Sequence, residues 1–136
     1  MNIDYINGFF DADGSITISK QYKTSKYKAL KIDFPNTELC ILEEIKSYLL
    51  DLGIKSYLST KPPKKDTHQT GYTLSLSGEY AFNLCKLLTP KHLKKLHRVN
   101  CVIKYWKDVT SRNGKYSSKQ ISRKLAFERL FLLNFR

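Results

Sequence analysis

Hydrophobic and polar residues follow two different periods along this chain, and the switches between them mark out its elements. Residues 3–12 form a short apolar helix. From 15 to 21 the period drops to two. Ile16 and Ile18 face one way and Thr17, Ser19 and Gln21 the other, as in a half-buried strand. A polar, basic turn from Tyr22 to Lys28 leads into a second alternation, Leu30, Ile32 and Phe34 against Lys31 and Asp33. Thr37 is placed to cap a helix whose apolar residues Leu42, Ile45, Leu49 and Leu52 fall at helical spacing, and Gly53 stops it. Tyr57 to Lys61 reads as a third strand, ended by Pro62-Pro63, and residues 62–71 as a polar loop. Tyr72, Leu74 and Leu76 alternate with Thr73, Ser75 and Ser77 as a fourth strand. Gly78 breaks it, and a helix covers 79–88. After Pro90 a helix runs from about Leu93 to Trp106, a Ser/Asn/Gly/Lys loop fills 110–118, and a last helix covers about 119–134.

The order is α-β-β-α-β-β-α with further helices. Each strand has one apolar face for helices to cover and one polar face left open. The expected fold is therefore α+β: a four-stranded antiparallel sheet with helices on one face only, plus C-terminal helices, in a single domain over 1–136. The open face is rich in Thr, Ser, Gln and Lys. Such side chains suit hydrogen bonding to base edges in a major groove, although an ordinary solvated sheet face has the same composition.

Composition narrows the function. Hydrophobic residues make up 41% of the 136, enough to build a core. No apolar run approaches the length of a membrane span, and no basic-then-apolar N-terminus marks a secretory leader, so an intracellular, membrane-free protein is expected. Cys40, Cys85 and Cys101 are widely spaced and odd in number, and they read as buried thiols rather than metal ligands. His68, His92 and His97 have no metal-binding spacing, and His97 is left as a phosphate neighbour or plain surface.

The formal net charge is +12, and it is concentrated. Residues 89–124 carry eleven Lys or Arg against one acid, Asp108. A solvated helical face normally interleaves both signs, so this bias points to a polyanion, nucleic acid first.

The chemistry concentrates in Ile6-Asn7-Gly8-Phe9-Phe10-Asp11-Ala12-Asp13-Gly14, which runs straight into Ser15-Ile16. Two carboxylates two residues apart close a helix at its negative end, where an acid costs a few tenths to about 1 kcal/mol. A bound cation would reverse that sign. A solvated turn with Gly14 as C-cap is one reading. An EF-hand loop is excluded, because Ile16 and Tyr22 stand where that loop needs glycine and glutamate. The third reading is that the run resembles the signature of the LAGLIDADG homing endonucleases. It matches by identity or hydrophobic class in the right order, with Asn7 where the family usually has alanine.

The resemblance covers essentially the whole chain and carries expectations of its own. It implies an αββαββα core whose curved sheet forms a saddle on DNA, and an intron-encoded, site-specific double-strand DNA endonuclease. One copy of the motif implies the homodimeric class, in which two motif helices pack together. Gly8 and Ala12 share a face one turn apart and would let two backbones approach, with Asp11 at the same seam supporting the turn. The family pattern makes Asp13 the metal ligand, for Mg²⁺ or Mn²⁺, with the Gly14 carbonyl as a possible helper. It sets Glu38, at the end of the second strand, as a water-positioning group. It sets Lys95, or Lys94 if the register slips by one, beside the scissile phosphate.

On that frame the base-reading candidates are Thr17, Ser19, Gln21, Lys31, Asp33, Ser59, Lys61, Thr73 and Ser75, and the phosphate clamps are Arg112, Lys115 and Lys119. About seven residues of strand span roughly 23 Å, so two subunits imply a nearly palindromic site on the order of 20 base pairs. The alternative is an intron maturase or a non-cleaving DNA- or RNA-binding protein of the same fold. An RNA-binding domain would use exposed aromatics for stacking, whereas Tyr57 and Tyr72 are expected in the core.

Overall fold

A computed structural model describes residues 1–20, 28–62, 69–110 and 117–133. The elements follow in the order α1 (Ile3–Asp13), β1 (Ser15–Ser19), β2 (Ala29–Asn36), α2 (Leu39–Asp51), β3 (Tyr57–Lys61), β4 (Gly71–Ser77), α3 (Gly78–Cys85), α4 (Leu93–Val109) and α5 (Ser118–Phe131). The strands form one antiparallel sheet in the order β1-β2-β4-β3. Two hairpins, β1–β2 and β3–β4, thus meet along the central β2–β4 pair.

The alternation read from the sequence decides which side is covered. Ile16, Ile18, Leu30, Ile32, Phe34, Leu74 and Leu76 point to one side and are buried. Ile6 and Phe10 of α1, Leu42, Ile45 and Leu49 of α2, and Ala81, Phe82, Leu84 and Cys85 of α3 complete the same core. The core continues into α4 and α5 through Val102, Trp106, which stacks on Phe82 of α3, Val109, Phe127 and Phe131. The α+β architecture with helices on one face is as expected. No helix among the described residues is long and apolar enough to cross a membrane.

Several local expectations are corrected. Thr37 does not cap α2. The N-cap is Glu38, which makes no side-chain cap bond, and its N–H donates instead to Asn36 Oδ1 at 2.9 Å. Leu52 lies past the end of α2 and is exposed, while Gly53 stops the helix with a left-handed φ of +79°. Tyr57 is not a core residue; it is 66% exposed. Cys40 is exposed, unlike Cys85 and Cys101. In α5, Ser117 and Gln120 form a reciprocal capping box that starts the helix one residue early.

Candidate active site

The motif helix is oriented by its apolar side. Asn2 caps it, accepting the Tyr5 N–H at 2.9 Å. Ile6 and Phe10 are fully buried, and the Phe9 and Phe10 rings sit 5.7 and 6.0 Å from Phe34 of β2. That rotation leaves Gly8, Ala12 and Asp13 exposed and Asp11 half-buried.

Gly14 closes the helix by donating its N–H to Phe10 O at 3.0 Å and Phe9 O at 3.3 Å. Its φ is −74°, so left-handed backbone is not why glycine is needed. Space is the reason: a Cβ there would lie 2.7 Å from Phe10 Cδ2 and 2.8 Å from Phe10 Cα. Gly14→Ala must therefore push on main chain as well as on a ring. We expect it to cost on the order of 1–3 kcal/mol through overpacking. Thermal unfolding checks this, with a loss of several degrees expected and an unchanged midpoint counting against it.

The acids at the wrong end of a helix have an internal counter-charge. Lys95, in the first turn of α4, donates from Nζ to Phe10 O at 2.9 Å and Asp11 O at 2.8 Å. A cation at the helix C-terminus offsets the carbonyl dipoles there. Burial pushes the Lys95 ammonium below the ordinary lysine range, and the charges of Asp11 and Asp13 pull it partly back. Lys94 stays exposed, so the lysine brought to the motif is Lys95.

Asp11 faces the other way, into its own chain. Its Oδ1 accepts the His92 N–H at 2.9 Å and the Lys91 N–H at 3.1 Å, just before α4 begins. The His92 N–H above all holds its carboxyl below the ordinary 3.8, against the desolvation that would raise it. A lowered carboxyl stabilises the fold above the ordinary carboxylate range and loses that contribution as pH falls through the lowered value. Asp11, expected at a dimer seam, thus has its Oδ1 engaged within its own chain.

Asp13 opens onto a shallow cleft shared with Pro35, Asn36, Thr37, Lys61, Tyr72 and Thr73. Glu38 does not line it, and β2 ends at Asn36 rather than at Glu38. The last residue of β2, Asn36, lines the cleft with Asp13, its Oδ1 held by the Glu38 N–H. No three His, Cys, Asp or Glu side chains among the described residues gather as a metal-binding group. Among the described residues lining this cleft the one carboxylate is Asp13, which is followed in sequence by Gly14.

The open face of the sheet is read from its register. Ser15, Asp33, Ser75 and Tyr57 form one cross-strand row, and Thr17, Lys31 and Ser77 another. Ser75 Oγ donates to Asp33 Oδ1 at 2.6 Å, and Lys31 Nζ lies 3.7 Å from Asp33 Oδ2. Ser19, Lys31, Ser59 and Lys61 are exposed, with Thr17 and Ser75 half-buried. Thr73 is a correction: it is only 6% exposed, because it sits on a central strand between Pro35 and Ser59, whose Oγ donates to its carbonyl. Tyr57 is the contributor that was missed. Its parity with Ser59 and Lys61 along β3 was the available signal.

The basic third is not all free for a polyanion. Arg98 turns inward, donating to Ile16 O at 2.7 Å and stacking over Phe131. Lys124 is buried. His97 is half-buried, and its Nε2 lies 2.7 Å from Leu130 O, tying α4 to α5. Lys91, Lys94, Lys104, Lys107, Lys119 and Arg123 remain exposed. Gln21, Arg112, Lys115 and His68 lie outside the described residues.

Residues 2–88 match the LAGLIDADG-like domain family. Among solved structures, the meganuclease I-SmaMI bound to uncleavable DNA is similar with a TM-score of 0.66 and 13% identity, over 94% of this chain and 44% of that one. I-SmaMI bound to uncleaved DNA with calcium ions gives 0.65 and 14%, over 97% and 45%. The archaeal intron-encoded homing endonuclease I-Vdi141I, in complex with DNA, gives 0.52 and 15%, over 98% and 86%. At these identities the likeness is one of fold. The chain spans under half the length of the I-SmaMI chains. No curated protein matches the sequence.

Proposed function

Because the chain belongs to the LAGLIDADG-like domain family, we propose that it is one subunit of a homodimeric, site-specific double-strand DNA endonuclease that uses Mg²⁺ or Mn²⁺. The observation that carries this reading is the end of α1. Asp13 is exposed there beside the ammonium of Lys95, which is fixed on the carbonyls of Phe10 and Asp11.

A single carboxylate at a helix C-terminus suits a cation site that a phosphate and a second subunit complete. Asp13 would hold the metal, with the Gly14 carbonyl as a further donor. The metal, when bound, supplies Lewis-acid chemistry to water and to the leaving 3′ oxygen. Asn36, which lines the cleft and whose Oδ1 accepts the Glu38 N–H, would orient a water through its Nδ2. An ammonium has three N–H donors, and Lys95 uses two on main chain, which leaves one for a phosphate oxygen. The open face supplies Thr17, Ser19, Lys31, Asp33, Ser59, Lys61, Ser75 and Tyr57 to base edges, and Lys119 lies among the exposed cations that would meet the backbone.

The test is incubation with a pool of DNA duplexes and Mg²⁺, scored for double-strand cuts. Binding without cuts would make the chain a non-cleaving nucleic-acid-binding relative. For base readout, Lys31→Ala should relax discrimination at a symmetric pair of positions by about 1–3 kcal/mol each. Titrations on matched and mismatched duplexes would measure it. Equal loss on both would place Lys31 on phosphate instead, since phosphate contacts carry no direct sequence information.

A further inference from the structure

The motif's departure from its family, Asn7, does not line the cleft or the open face, yet both its amide nitrogen and its amide oxygen are hydrogen-bonded. We propose that Asn7 is a positioning residue that holds Lys95 against the end of α1, an inference that rests on the role given to Lys95 above. Asn7 Nδ2 donates to Leu87 O at 3.1 Å, and Asn7 Oδ1 accepts the Thr89 N–H at 2.7 Å. Both partners belong to the link between α3, which ends at Cys85, and α4, which starts at Leu93. One turn along α1, Asp11 takes the N–H groups of Lys91 and His92. Two side chains at i and i+4 on one helix thereby make four bonds to the main chain of residues 87–92.

The chemistry selects asparagine. Alone among residues of its size it carries an acceptor and a neutral donor on separate atoms, which is what a carbonyl and an N–H two residues apart require. Alanine offers neither. Aspartate, ionised, keeps the acceptor for Thr89 and loses the donor for Leu87. Lys95 follows His92 by three residues, within the first turn of α4, so a shift of the link is passed directly to its ammonium. Displacing a reacting group by about 1 Å can cost on the order of 100-fold in rate.

The experiment compares wild type, Asn7→Ala and Asn7→Asp by two readouts. The first needs no cleavage: NOEs between the Lys95 side-chain methylenes and the Phe10 ring, whose centroid lies 5.6 Å from Lys95 Nζ. The second is the split between kcat and KM on a cognate duplex. Asn7→Ala should weaken the NOEs and lower kcat about tenfold or more, with KM within about twofold. Asn7→Asp should fall between the two. NOEs and kcat unchanged in Asn7→Ala, even with a lower melting temperature, would overturn the proposal and leave Asn7 as a packing staple. If Asn7→Ala does not fold, Asn7→Asp decides by the same NOEs. If wild type cuts no duplex, the nuclease reading fails separately, and the NOEs still decide whether Asn7 places Lys95.

Discussion

Asp13→Asn should reduce Mg²⁺-dependent DNA cleavage by on the order of 100-fold or more while leaving DNA affinity within about tenfold. The substitution keeps the size and shape of the side chain and removes only its charge. Asp13 is exposed at the last position of α1, so the fold loses no burial. An amide oxygen can still approach a divalent cation but brings no charge to balance it, so the metal is held more weakly. Removing a negative group near the phosphates leaves binding equal or slightly tighter. A second consequence follows from the neighbouring lysine. Asp11 and Asp13 both favour the charged form of Lys95, so losing Asp13 weakens that support without removing it. Cleavage rates and binding titrations on one duplex test both halves together. A mutant that cuts at near wild-type rate would remove Asp13 from the metal site. A mutant that no longer binds would mean that the cation holds the complex together rather than cutting it.

Periodicity made the sheet legible, because a strand with one covered face must alternate. The buried set Ile16, Ile18, Leu30, Ile32, Phe34, Leu74 and Leu76 is the apolar half of that alternation. The same parity placed Tyr57 outward, yet an aromatic residue invites assignment to the core, and the edge position of β3 prevails. Capping was less legible. Asn36, Thr37 and Glu38 are all able to end a strand and start a helix, and only the backbone geometry shows that Asn36 takes the Glu38 N–H. The tertiary ties were out of reach of any local pattern. Asn7 meets Thr89 and Lys95 meets Phe10 across more than 80 residues. Their register is set by the whole core and not by spacing. Two acids at the negative end of α1 do call for a positive charge there. That the chain brings its own, Lys95, is set by the tertiary fold and by no local spacing.

Gly8→Leu should separate the subunits and leave each one folded, with the two effects opposite in sign. Gly8 is exposed on α1, and a Cβ built there meets nothing within 4 Å. Its smallness therefore does nothing for the packing of its own subunit. Asp4, Tyr5 and Ala12 share the exposed side of the helix with it. Glycine within a helix costs about 1 kcal/mol relative to a good helix former, so leucine should hold or raise the subunit's own stability. At a crossing of two such helices the outcome reverses. In the proposed homodimer the interface would be two-fold, so each substitution would be felt twice. Overpacking of about 1–3 kcal/mol at each copy gives about 2–6 kcal/mol in total. That weakens dimerisation by roughly 30-fold to more than 10⁴-fold. Gly8→Ala, which adds one methyl group, should fall between. Sedimentation velocity across a concentration series reads the association, and thermal unfolding reads the subunit. A wild-type monomer that cuts both strands of a duplex would end the dimer reading. A Gly8→Leu protein that still dimerises would move the seam off this face of α1.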